Sequence, residues 1–112
     1  MKMIQAIIRP SKVEDVKNTL DEAGYTSLTS IEVKGRGRQK GITQMWRGEE
    51  YKVDMLPKVK VELVVPDEKE EEVIEMIKKA AYTGNIGDGK IFVLPVEKTI
   101  RIRTGETNGK AL

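Results

Sequence analysis

Two residue types are missing from the 112-residue chain altogether: it has no cysteine and no histidine. That excludes disulfides, thiolate or imidazole metal sites, Cys or Ser–His nucleophile systems and phosphohistidine chemistry. A dominant charge of one sign is lacking too. Twenty Lys and Arg stand against eighteen Asp and Glu, so there is no sustained positive field of the kind a dedicated nucleic-acid binder carries, and any electrostatic recognition must be local. Nor is there a long apolar run. The segment MIQAII near the start falls far below signal-peptide or membrane-span length, and a soluble, cytoplasmic protein is expected. The length suits one domain, residues 1–112, since a single hydrophobic core typically serves roughly 100–150 residues. No internal repeat of solenoid type is visible. A Lys/Glu-rich composition without cysteine is one that thermophile proteins also show.

What is present is a sequence of short, strongly patterned segments. KMIQAIIR (2–9) reads as a buried first strand that stops at Pro10, which has no N–H for a ladder. A helix should follow, with Ser11 and Glu14 in the capping-box relation, Val13, Val16, Leu20 and Ala23 as its apolar stripe, and Gly24 as a left-handed stop. YTSLTSIEVKG (25–35) reads as a second strand. VKVELVV (59–65) gives a third, with Val59, Val61, Leu63 and Val65 on one face and Lys60, Glu62 and Val64 on the other. Asp67 and Glu70 repeat the capping pattern before a second helix whose stripe is Val73, Ile74, Ile77 and Ala81. IFVLPV (91–96) is a fourth strand, and TIRIRT (99–104) alternates as a short terminal one.

The order β-α-β-β-α-β predicts an α+β, ferredoxin-like sandwich with both helices on one face of an antiparallel sheet. The connection from 35 to 58 is far longer than a hairpin needs, and such insertions are usually functional. The face of the sheet away from the helices would be bare, with apolar strand positions on it, so other subunits are expected to cover it.

One stretch poses a chemical question. TGNIGDGKIFV (Thr83–Val93) contains the letters GxxxxGK of a phosphate-binding P-loop. Ile91 stands where that motif needs a magnesium-holding Ser or Thr, and the stretch runs from helix to strand rather than from strand to helix. It is no Walker motif. Gly84, Gly87 and Gly89 could still bare backbone N–H groups beside Lys90, or they could simply form a helix stop and a turn. Arg101 and Arg103 alternate with Ile100 and Ile102, which would put both guanidinium groups on one strand face, spaced for a polyphosphate. KGRGRQKG (Lys34–Gly41) adds bare glycine backbone and Gln39, whose carbonyl oxygen could ligate magnesium. Three phosphate-compatible pieces in one small domain favour a nucleotide site.

The segments EVKGRGRQKG, RGEEYKVDMLPKVK, AAYTGNIGDGKIFV and IRIRTGE resemble the PII signal-transduction family, GlnK type, and the likeness runs through nearly the whole chain. The resemblance implies a nitrogen-regulatory homotrimer with ATP or ADP bound competitively in each cleft between subunits. Residues 83–90 correspond to the family's B-loop, 35–58 to its T-loop and 101–112 to its C-terminal segment. Gly87, Asp88, Gly89 and Lys90 then hold phosphates, with Arg101 and Arg103 reaching in from a neighbouring subunit. Ile7, Thr29, Gly35, Glu62 and Val64 surround adenine and ribose, and Gly37 and Arg38 lie by the phosphates. Gln39 joins phosphates and 2-oxoglutarate in coordinating Mg2+. Lys58 pairs with the distal carboxylate of 2-oxoglutarate, helped by Gln39, Lys40, Gly41 and Gly87. Arg47 matches the arginine that blocks an ammonium channel of the Amt type, and Tyr51 matches a tyrosine that is uridylylated in many relatives. Ile42, Gln44 and Trp46 depart from enteric members and change the loop surface.

The resemblance implies a regulatory binding protein rather than an enzyme, with at most weak ATP hydrolysis and with membrane contact only through a transporter. Glutamine synthetase or nitrogenase are the alternative targets. The rival from another class is a small ferredoxin-fold enzyme acting on phosphate esters or anhydrides, but no general base or nucleophile is evident for it.

Overall fold

The structure is a computed structural model that describes residues 1–36, 42–46, 49–53 and 55–112, the segments 42–46 and 49–53 by their backbone alone. Six strands and two helices follow in the order β1 (Lys2–Ile8), α1 (Val13–Glu22), β2 (Thr29–Gly35), β3 (Ile42–Trp46), β4 (Glu49–Val53), β5 (Leu56–Val65), α2 (Glu70–Ala81) and β6 (Lys90–Pro95). Strands β2, β5, β1 and β6 form, in that spatial order, one four-stranded antiparallel sheet. This is the split βαβ arrangement expected from the sequence.

Alternation decides which side of each strand is buried. Ile4, Ala6 and Ile8 of β1 and Val59, Val61, Leu63 and Val65 of β5 all face the helices and are buried. Val16 and Leu20 of α1 and Val73, Ile77 and Ala81 of α2 close over them as one core. The odd positions of β1 point the other way, toward the face that no helix covers. In register on that open face stand Val64 with Met3 and Leu94, Glu62 with Gln5, Phe92 and Thr29, and Lys60 with Ile7, Lys90 and Ile31. Ile31, Phe92 and Leu94 are 43%, 45% and 39% exposed there, so this chain by itself leaves large apolar side chains uncovered.

Several local expectations are corrected. Neither helix begins with a capping box: each is preceded by a 3-10 turn, Pro10–Lys12 and Asp67–Lys69, with no side-chain cap. The turns close through Lys12 N–H to the Arg9 carbonyl and Lys69 N–H to the Pro66 carbonyl, both 3.0 Å. The candidate capping side chains pair elsewhere, Glu14 with Lys17 at 3.0 Å and Asp67 with the Met1 ammonium at 2.8 Å. Ala23 lies outside the buried stripe and is exposed, because α1 has already ended at Glu22. Gly24 does provide the stop, at φ +93°, with Tyr25 N–H returning to the Leu20 carbonyl at 2.8 Å.

The second strand starts at Thr29 rather than Tyr25, and the third starts earlier than its alternating run, at Leu56. Gly35 pairs with Leu56 and Val33 with Lys58, so both ends of the 35–58 stretch belong to the sheet. Lys58 is therefore a strand residue. Inside the insertion β3 and β4 pair as a separate antiparallel ribbon, from Ile42 opposite Val53 to Trp46 opposite Glu49.

The terminal strand at 99–104 does not form. Only an isolated bridge joins Ile100 to Thr107, and a turn held by Arg101 N–H to the Glu106 carbonyl and Gly105 N–H to the Arg101 carbonyl, both 2.8 Å, doubles the chain back. Gly105 at φ +73° permits the reversal, and Ile102 is left fully exposed. Alternation alone cannot make a strand where no neighbouring strand offers a ladder. Arg101 and Arg103 thus do not share a strand face.

Candidate functional site

The glycine stretch lies between the end of α2 and the start of β6, and its shape is set by one carboxylate. Oδ2 of Asp88 accepts hydrogen bonds from Thr83 N–H at 2.8 Å and Gly84 N–H at 2.9 Å. Oδ1 accepts from the Thr83 hydroxyl and from Arg9 Nε at 3.1 Å. These bonds, led by the Thr83 hydroxyl, hold the Asp88 carboxyl far below the usual carboxylate range. The ring they close needs glycine where the backbone turns left-handed, at Gly84, Gly87 and Gly89. At Gly89 space demands it as well: a Cβ there would stand 1.7 Å from the Ile7 carbonyl oxygen.

Two cations brace the loop from outside. Arg9 donates to the Ile86 carbonyl at 2.9 Å, and Lys58 donates through Nζ to the Gly87 carbonyl at 2.7 Å. Lys58 is only 9% exposed and has no carboxylate partner among the described residues. Burial first, and the Arg9 guanidinium second, push its pKa below the ordinary lysine value, partly offset by Asp88. A desolvated ammonium whose hydrogen bond goes to a neutral carbonyl attracts an anion strongly. The backbone N–H groups of Gly87, Asp88 and Gly89 find no acceptor among the described residues. Free amides in a left-handed glycine loop beside Lys58 and Lys90 make an anion-binding concavity. The turn, one of the two readings the sequence left open, is realised in this loop.

The remaining expected residues separate into groups. Ile7 and Lys90 are register partners on the open face at the loop's end of the sheet, and Gly35 lies beyond Lys58 at the same end. Thr29, Glu62 and Val64 gather toward the opposite end, beside a cleft of about 410 Å3 that all three line. Glu62 is occupied within the face, accepting from Gln5 Nε2 at 3.1 Å and pairing with Lys60 at 3.3 Å. Arg101 bonds the Leu112 carbonyl at 3.3 Å, and among the described residues neither it nor Arg103 bonds to the glycine loop. Gly37, Arg38, Gln39, Lys40, Gly41 and Arg47 lie outside the described residues, as does the side chain of Tyr51.

Arg9 is the residue that sequence reasoning missed. It is 77 to 79 positions from the loop atoms it holds, and it reads locally as the polar end of a strand before Pro10. The only available signal was an unassigned arginine beside a strand expected to lie in the sheet.

Comparison with known proteins decides the relationship. The family model for nitrogen regulatory protein P-II matches residues 1–106. This chain belongs to the nitrogen regulatory protein P-II family. It is 60% identical over all 112 residues to a nitrogen regulatory protein P-II of Rhizobium meliloti and 57% identical to one of Azospirillum brasilense, each covered in full. It is 56% identical to nitrogen regulatory protein P-II 2 of Methanothermobacter thermautotrophicus, 97% of which is covered. P-II proteins are regulatory signalling proteins rather than enzymes, and the phosphate-ester enzyme reading falls away. No helix among the described residues is long and apolar enough to cross a membrane.

Proposed function

We propose that this P-II protein senses ATP, ADP and 2-oxoglutarate and controls an ammonium transporter of the Amt type through the T-loop at 35–58. The observation that carries the reading is Lys58: a buried ammonium without a carboxylate partner among the described residues, in contact with the glycine loop at Gly87. One small dicarboxylate bridging Lys58 and the base of the T-loop would neutralise that charge while touching the phosphate loop. The phosphates of ATP or ADP would fit the amides of Gly87, Asp88 and Gly89, which have no acceptor among the described residues, with Lys90 beside them. Mg2+ would tie phosphates to 2-oxoglutarate, with Gln39 as its protein ligand.

The division of the open face supports a site shared between subunits. Six residues of strand separate Lys58 from Val64, about 20 Å at roughly 3.3 Å per residue. That span favours one subunit supplying the loop, Ile7, Gly35, Gly37 and Arg38, and another supplying Thr29, Glu62 and Val64 with Arg101 and Arg103. A homotrimer closed over the apolar open face satisfies this, and a cytoplasmic trimer would meet the membrane only through its transporter. Arg47 would be the channel-blocking residue, and Tyr51 a candidate for uridylylation. Glutamine synthetase and nitrogenase are the alternative targets.

Lys58→Ala tests the reading. Calorimetry should show 2-oxoglutarate binding lost while ATP binding is kept within about threefold, the loss of a charge-assisted bond being on the order of 1.5–3 kcal/mol. Retention of full 2-oxoglutarate affinity would reject the assignment of Lys58.

A further inference from the structure

The carboxylate inside an anion-binding loop is at first sight a contradiction, because Asp88 should repel phosphate. Its surroundings resolve this. Both oxygens are taken up by four donors, namely the Thr83 and Gly84 N–H groups, the Thr83 hydroxyl and Arg9 Nε. An ionised carboxylate has about four lone-pair sites, so none is left for a ligand or a metal. We propose that Asp88 and Arg9 are positioning residues: together they hold the loop so that the N–H groups of residues 87–89 face an anion, and neither Asp88 oxygen touches that anion. The proposal deepens the P-II reading above and rests on the same loop.

The geometry follows from the planarity of the peptide. In a trans peptide the C=O and the following N–H point in opposite directions. Arg9 fixes the Ile86 carbonyl, which turns the Gly87 N–H the other way. The Arg9 guanidinium is thus shared between Asp88 and the loop backbone and couples the two. Gly87 favours glycine because its φ is +109°, and a Cβ there would also press on Arg9 Nη2 at 3.0 Å.

A direct role and a positioning role give opposite signs. If Asp88 faced the phosphates, Asp88→Asn would remove a repulsion and tighten binding. As a positioning residue, its amide turns a donor toward Thr83, Gly84 or Arg9, the loop loosens, and affinity falls.

The test uses full-length protein with ATP, adenosine and inorganic triphosphate as probes, measured by calorimetry. We expect Asp88→Asn and Arg9→Gln each to weaken ATP and triphosphate by about tenfold or more, as loss of one charge-assisted bond implies. Adenosine affinity should stay as in the wild type. Should the variants fail to fold, amide resonances of the wild type decide: Gly87, Asp88 and Gly89 N–H should shift on adding triphosphate while the Asp88 carboxyl carbon stays unmoved. Equal or tighter ATP binding by Asp88→Asn, or a shifted Asp88 carboxyl, overturns the proposal and leaves the P-II nucleotide reading standing. Wild-type binding of triphosphate with this dependence but not of ATP overturns the nucleotide reading alone. Binding of neither overturns both.

Discussion

At the scale of single residues, the glycine loop shows how covalent geometry and charge divide the work. Gly24 and Gly89 both sit at positive φ, at +93° and +102°, yet their surroundings differ. A Cβ at Gly24 would meet nothing within 4 Å, whereas at Gly89 it would collide with the Ile7 carbonyl. Gly24→Ala should therefore cost only the backbone strain, about 1 kcal/mol. Gly89→Ala should cost roughly 2–5 kcal/mol, since the start of β6 must move away from β1. Chemical denaturation of the two variants checks the ranking, and equal losses would remove the steric argument. The positive-φ requirement was legible in the sequence as glycine. The carbonyl it avoids was not, because Ile7 becomes a neighbour only when β1 and β6 pair.

At the scale of elements, strands and helices were readable wherever a buried face imposes a period. Val59 to Val65 alternate as the sheet requires, and Val73 and Ile77 lie on one side of α2. What was illegible lacks such a constraint. The two helix starts are decided by Pro10 and Pro66 leading into 3-10 turns, not by side-chain caps. The alternation at 100–103 is real in sequence, but among the described residues it finds only the bridge from Ile100 to Thr107. Between the helices, the Tyr25 hydroxyl donates to the Glu72 carboxylate, tying the end of α1 to the first turn of α2. Burial, followed by that bond, pushes the Tyr25 hydroxyl up from 10.0 to about 12. The folded protein thus keeps a proton that the unfolded chain releases, so the stabilisation is complete below pH 10 and lost as the pH rises from about 10 to about 12. We expect the stability difference between wild type and Tyr25→Phe to shrink across that window. A difference constant from pH 8 to pH 12 would show that the bond does not contribute.

At the scale of the whole molecule, the open face is the feature the single chain leaves unexplained by its own core. Ile31, Phe92 and Leu94 share it with charged residues, and Ile100 and Ile102 of the C-terminal segment are more exposed still. Fully burying such a side chain typically stabilises by about 1.5–3 kcal/mol, and those already half-buried gain proportionally less. Light scattering at micromolar concentration should give three times the 12.6 kDa chain mass, and a monomer mass would contradict the shared site. The fold was legible because burial writes it into the sequence. The site was legible only in part: Gly87, Gly89 and Lys90 announce a loop, but Arg9 joins it solely through folding.

The measurement that bears most directly on the central claim is the affinity for 2-oxoglutarate in the presence of Mg-ATP, of ADP and of no nucleotide. If phosphates on the glycine loop and a dicarboxylate on Lys58 share one metal-linked site, each ligand strengthens the other by the same factor, typically about 1–3 kcal/mol of coupling. ADP lacks the γ-phosphate and should give little or none. Calorimetry should therefore show 2-oxoglutarate binding well with Mg-ATP and poorly otherwise, with ATP affinity rising equally when 2-oxoglutarate is present. Equal 2-oxoglutarate affinity in all three conditions would contradict the account.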